Sequence, residues 1–167
     1  MSRLDSFIRR LEAQRACLDW AVAAAADISG VALELGLGNG RTYDHLRSRL
    51  SQTREIFAFD RQLAAHPGCI PDKDHLLLGD FRDTLPELAR RLGRQAALVH
   101  ADTGSGDSAA SQAQARSLVA LIDPLLKPGA AIVSDQDMAP LAGAAWRPAP
   151  LPAGVAEGRY FLYRKAA

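Results

Sequence analysis

The chain of 167 residues has 48% hydrophobic and 23% charged residues and a net charge of +1, a profile that fits one globular domain able to bury a core without disulfide or metal staples. So small a net charge leaves no electrostatic footprint for duplex nucleic acid or an anionic membrane surface, and the apolar stretch Ala21 to Ile28 contains an aspartate and is too short to span a bilayer. Cys17 and Cys69 form no metal or redox spacing and no basic stub precedes an apolar block, so the expected setting is reducing and cytoplasmic.

From Arg3 to about Ala26, the residues Leu4, Phe7, Ile8, Leu11, Leu18, Ala21, Val22 and Ala25 recur at helical spacing, with Arg9, Arg10, Glu12 and Arg15 elsewhere on the wheel. This is an N-terminal amphipathic helix. Gly30 stops it, and Val31 to Leu35 reads as a short buried strand entering the loop Gly36-Leu37-Gly38-Asn39-Gly40. Arg41 to Leu50 is a second helix with Tyr43, Leu46 and Leu50 as its stripe. Glu55 to Phe59 then reads as a strand ending at Asp60, and His75 to Leu78 as a third ending at Gly79-Asp80. A helix from about Phe81 to Leu92 follows, then a strand from Ala96 to His100. A long helix runs from Ser108 to Leu126, with Asp107 its simplest N-cap and Pro124 bending or ending it early. Lys127-Pro128-Gly129 turns the chain into a fifth strand, Ala130 to Val133. Beyond Met138, prolines and glycines interrupt the pattern. Ala144 to Arg147 and the aromatic run Arg159 to Arg164 read as two terminal strands, antiparallel partners at the sheet edge.

Strands alternating with helices require crossover connections. The expected fold is therefore α/β, a doubly wound, mostly parallel Rossmann-like sheet of about seven strands, in a single domain spanning 1–167. In such sheets a ligand sits outside the carboxyl ends of the strands, at the switch in strand order. Those ends carry Gly36 to Gly40, Asp60, Gly79-Asp80-Phe81, Asp102-Thr103-Gly104 and Ser134-Asp135-Gln136. Alternate glycines between a strand and a helix let backbone approach a ligand closely. A dinucleotide site has the pattern Gly-x-Gly-x-x-Gly, and its third glycine position is Arg41 here; no Gly-Lys-Ser/Thr follows to make a P-loop.

Glu34-x-Gly36-x-Gly38-x-Gly40, with Asp60 twenty positions after Gly40 and Asp80 after the third strand, resembles the motif set of class I S-adenosylmethionine (SAM)-dependent methyltransferases from about Ala32 to Val133. The resemblance implies SAM as cofactor and S-adenosylhomocysteine as product. It implies that Glu34, Gly36, Leu37, Gly38, Asn39, Gly40 and Thr42 form the cofactor loop beneath the amino-acid part of SAM. Asp60 and Arg61 would stand at the ribose, Gly79, Asp80 and Phe81 at the adenine, and Asp102 and Thr103 near the methionine ammonium or the substrate. The residue types suit these roles, because a carboxylate accepts both donors of a ribose diol and an aromatic ring can cover the base.

Each residue also has a structural reading. Gly36 and Gly40 can be turn glycines, Asp60 can close a turn with Arg61, and Asp80 can cap the helix that follows. Glu34 lies inside a strand and needs a partner, so it is as readily an organiser of the loop as a ligand contact. His100 suits a satisfied strand-end histidine or a general base, and Trp20 lies on the helix that could roof the cofactor. The expected reaction is in-line methyl transfer to a small-molecule acceptor, with Asp102 and His100 as candidate bases where the acceptor must lose a proton. No Asn/Asp-Pro-Pro-Tyr/Phe follows the fourth strand, which disfavours nucleic-acid and protein-glutamine acceptors. Asp102 and Asp135-Gln136 also resemble the acidic positions of metal-dependent catechol-type O-methyltransferases. A SAM-binding sensor without transfer activity is a further alternative. An exposed aromatic terminal strand makes a homodimer the expected assembly.

Overall fold

The computed structural model describes residues 2–104 and 108–167. Seven strands, β1 (Val31–Leu35), β2 (Ile56–Asp60), β3 (Leu76–Leu78), β4 (Ala96–Ala101), β5 (Leu126–Ser134), β6 (Trp146–Pro148) and β7 (Phe161–Lys165), form one sheet in the order β3-β2-β1-β4-β5-β7-β6. The first five are parallel; β7 is antiparallel to both β5 and β6. Chain order reverses direction between β1 and β4, so the crevice at their carboxyl ends is the switch point of the sheet.

The helices α1 (Arg3–Ala24) and α2 (Arg41–Arg49) cover one face, where Cys17, Leu18 and Leu46 pack on Ala32, Leu98 and Val133. The helices α3 (Phe81–Leu92) and α4 (Ser108–Ile122) cover the other, with Leu85, Leu88, Leu118 and Ile122 against Leu33, Leu35, Phe59 and Ile132. Two buried faces explain why β1 is buried at every position: both of its sides meet helices. Ser2 caps α1 through a reciprocal box with Asp5. A short helix, α5 (Ala139–Ala142), begins the last segment. No helix among the described residues is long and apolar enough to cross a membrane.

One detail follows the reading of the sequence and two differ from it. Helix α4 ends at Ile122, two positions before Pro124, in a short 3-10 turn, as expected where proline removes a donor and crowds the preceding residue. Lys127-Pro128-Gly129 lies within β5 as a bulge: Ala96 pairs with Leu126 but Leu98 with Ala131. The aromatic strand β7 is not exposed. It lies between β5 and β6, leaving Tyr163 2% and Trp146 1% accessible, which removes the exposed strand on which the homodimer expectation rested. The proposed cap Asp107 lies outside the described residues.

Candidate functional site

The backbone at the end of β1 makes two hydrogen bonds to β2, Gly36 N and Leu37 N both donating to the carbonyl of Phe59. It then turns through three glycines at φ 91°, 51° and 85°, which side-chain-bearing residues rarely adopt. Their surroundings separate their roles. A Cβ on Gly36 would lie 2.5 Å from the carbonyl oxygen of Asp102, and one on Gly40 would lie 2.5 Å from Cys69 Cβ. Gly38 has nothing within 4 Å of the same position. Gly36 and Gly40 are therefore demanded by packing, whereas Gly38 presents bare backbone to open space.

Asp60, at the end of β2, organises that backbone. Its Oδ2 accepts from Gly38 N at 2.8 Å and its Oδ1 from Arg61 N at 2.7 Å. Oδ1 also accepts from Gln62 N at 3.4 Å, and since a carboxylate oxygen has two lone-pair sites, it is Oδ2 that keeps acceptor capacity for a ligand. Beyond it, Asp80 caps α3 by accepting from Arg82 N at 2.9 Å. Arg61 approaches Asp80 at 3.8 Å, an exposed pair of small energetic weight. Arg61, Asp80 and Phe81 border a cavity of about 350 Å³ against α4. Gly79, at φ 144°, makes the turn into it.

Behind the loop, the parallel register of β1 and β4 sets Glu34 beside His100. Both side chains are fully buried. His100 Nδ1 donates to Glu34 Oε2 at 2.9 Å, and the Thr42 hydroxyl of α2 donates to Glu34 Oε1. Burial depresses the His100 pKa, but the Glu34 carboxylate more than offsets it, and the net direction is upward. His100 Nε2 finds no hydrogen-bond partner among the described residues.

At the end of β4 the site meets α1. Gln14 Nε2 donates to Asp102 Oδ2 at 2.6 Å, and Arg10 Nη2 donates to Oδ1 at 3.2 Å and Oδ2 at 3.3 Å. Phe7, Arg10 and Gln14 of α1, the backbone of Gly36 to Asn39, and Asp102 enclose a cavity of about 260 Å³. Asp135 ties the neighbouring loop, accepting from Thr103 N at 3.1 Å, Gly104 N at 2.8 Å and Gln136 Nε2 at 3.1 Å. Burial, and secondarily the charge of Asp102, hold its carboxyl above the usual range.

The family described as S-adenosyl-L-methionine methyltransferase matches residues 1–165. The chain belongs to this family. A crystal structure of an S-adenosyl-L-methionine methyl transferase from Silicibacter pomeroyi DSS-3 is 45% identical, covers 99% of each chain and superposes with a TM-score of 0.91. A Corynebacterium glutamicum protein (17% identity, 90% of this chain and 80% of that one, TM-score 0.64) is similar in fold. So is a Geobacter sulfurreducens methyltransferase (10% identity, 92% and 78%, TM-score 0.63). No curated protein matches the sequence. The protein is a SAM-dependent methyltransferase with SAM as its cofactor.

The residues of this methyltransferase fit that cofactor: a bare glycine backbone at Gly38 and carboxylates with spare acceptor sites at Asp60 and Asp80 lie around one crevice. The metal-dependent catechol-type variant is not indicated. Asp135 is committed to two backbone amides and Gln136, and Asp102 to Arg10 and Gln14. Among the described residues no group of three or more His, Cys, Asp or Glu is placed to hold a metal ion.

Several expected site residues take a different position in the structure. Glu34 lies beneath the loop with both oxygens engaged, so it does not reach the crevice. Thr42 serves Glu34 through its hydroxyl. Trp20 packs on the α1 side of the core, and the α1 residues that border the cavity beside the glycine loop include Phe7, Arg10 and Gln14. Reading the sequence alone misses Arg10 and Gln14. The available signal is Gln14 itself, an amide that stands at helical spacing from Phe7, Leu11 and Leu18 and so interrupts the apolar stripe of α1.

Proposed function

We propose that this enzyme transfers the SAM methyl group in line to a small-molecule acceptor, with the methionine part of SAM over Gly36 to Gly40, the ribose diol on Asp60, and the adenine between Asp80 and Phe81. The observation that carries this reading is the Asp60 carboxylate bonded to the amide of Gly38, whose Cβ position faces open space, at the switch point. The acceptor enters from a cavity of about 530 Å³ beyond β5, bordered by Arg116, Asp135, Gln136, Leu141 and Phe161. Its size suits a metabolite-sized molecule. The sulfonium is already an activated leaving group, so positioning and exclusion of water carry most of the rate enhancement.

In this reading Asp102 anchors the cofactor end of the crevice, since its carboxylate is committed to Arg10 and Gln14. His100 acts as a positioning residue: from its buried place it fixes Glu34, which holds Thr42 at the start of α2. Isothermal titration tests the cofactor placement. SAM and S-adenosylhomocysteine bind and NAD does not, and both Asp60→Ala and Asp60→Asn weaken binding by about tenfold or more. Absence of binding to either sulfur ligand at millimolar concentration overturns the reading. Binding without methylation of any compound in a broad metabolite screen with labelled methyl favours the sensor alternative.

A further inference from the structure

The α-amino acid end of SAM carries a carboxylate as well as an ammonium, and the charge for each lies in the cavity under α1. Asp102 offers a carboxylate with its side chain 18% exposed, and Arg10 stands against it with its side chain 49% exposed. Both hydrogen bonds from Arg10 to Asp102 come from Nη2 and the guanidinium also lies beside the Tyr160 hydroxyl, and a planar fork of five donors still keeps one or more for a second oxyanion. Arg41, another cation bordering this cavity, is held along its wall: its Nε donates to Asn39 and its guanidinium lies 5.9 Å over the Phe7 ring.

We infer that Arg10, on the N-terminal helix, is the receptor for the SAM carboxylate, paired with Asp102 as receptor for the ammonium, so that the ion pair between the two receives the zwitterion as a complementary pair of charges. This rests on the cofactor placement proposed above. It gives α1 a specific task in the site, because the helix brings a cation to within hydrogen-bond distance of a residue 92 positions away. Gln14, one turn along α1 and donating to Asp102 Oδ2, holds that carboxylate in place while Arg10 turns part of its fork to the ligand.

The test compares S-adenosylhomocysteine with S-adenosyl-3-thiopropylamine, the same molecule without the carboxylate, by isothermal titration against the wild type, Arg10→Gln and Arg10→Lys. The wild type binds the carboxylate-bearing ligand about tenfold or more tightly than the decarboxylated one. Arg10→Gln removes that preference while leaving the decarboxylated ligand within about twofold, and Arg10→Lys retains part of it. Because both ligands meet the same variant, a general loss of fold weakens both and does not imitate the result. Equal affinities in the wild type overturn this inference while leaving the cofactor site intact. Equal weakening of both ligands by Arg10→Gln shows that Arg10 acts through α1 alone and overturns it too. Tighter binding of S-adenosylhomocysteine to Arg10→Gln does so as well, by making the ion pair a competitor of the ammonium. A wild type that binds neither ligand overturns the cofactor placement and this inference with it.

Discussion

Replacing His100 by leucine tests whether the buried pair beneath the glycine loop holds the site together. Glu34 and His100 are both wholly inaccessible, and Glu34 has two partners, His100 and the Thr42 hydroxyl. Removing His100 leaves a buried carboxylate with one hydroxyl donor. Breaking a buried pair in this way costs about 3–5 kcal/mol, which for a domain of this length corresponds to a fall in Tm of about 6–20 °C. The double variant Glu34→Leu/His100→Leu buries no charge and is expected to lose less than the single one, since replacing both members of such a pair is often close to neutral. The pair also predicts a pH dependence. The folded pKa of His100 is raised, so its contribution is fully present below the unfolded value of about 6.5 and is lost as pH rises through the folded value. Thermal unfolding from pH 5 to 9 should show Tm declining above about pH 6.5 in the wild type and a flatter profile in the double variant. A single variant that melts within about 2 °C of the wild type, or a double variant worse than the single, would refute the reasoning.

The other predictions concern the loop and the thiols. Gly38→Ala meets no atom within 4 Å and is expected to cost about 1 kcal/mol of stability, yet it covers the bare backbone and abolishes S-adenosylhomocysteine binding in titration. Gly36→Ala sets a Cβ 2.5 Å from the Asp102 carbonyl and should lower both stability and binding; equal melting of the two variants contradicts the assigned roles. Asp80→Ala removes the cap of α3 and is expected to lose about 1 kcal/mol in urea unfolding, together with cofactor affinity. Cys17 is 0% exposed and burial pushes its thiol up to about 11, so Ellman's reagent at pH 8 should titrate one thiol, Cys69, in the folded protein; two thiols reacting at equal rates is the contrary result.

The strand ends were legible because topology, not packing detail, places them. Any parallel sheet of this kind puts Gly36, Asp60, Asp80 and Asp102 around one crevice, and hydrophobic runs separated by helical stripes suffice to locate the ends of β1 to β4. The helix wheel of α1 was less informative. It set Arg10 among the solvent-facing residues, whereas long-range packing turns that side of the helix toward Asp102. Likewise, Lys127-Pro128-Gly129 has the composition of a turn, and its place inside β5 follows from pairing with β4 that local propensity does not encode. The antiparallel pair β6 and β7 was legible as two terminal strands, but the order β5-β7-β6, which covers β7 on both sides, follows from long-range pairing that neither segment encodes locally.

A crystal structure with S-adenosylhomocysteine bound tests the central claim most directly. The account predicts the ribose hydroxyls on Asp60, the adenine against Phe81 with its amino group toward Asp80, and the amino-acid end over Gly38 between Asp102 and Arg10. Clear density for the ligand elsewhere on the protein, or in the same crevice with the amino-acid end turned away from the glycine loop, would contradict it.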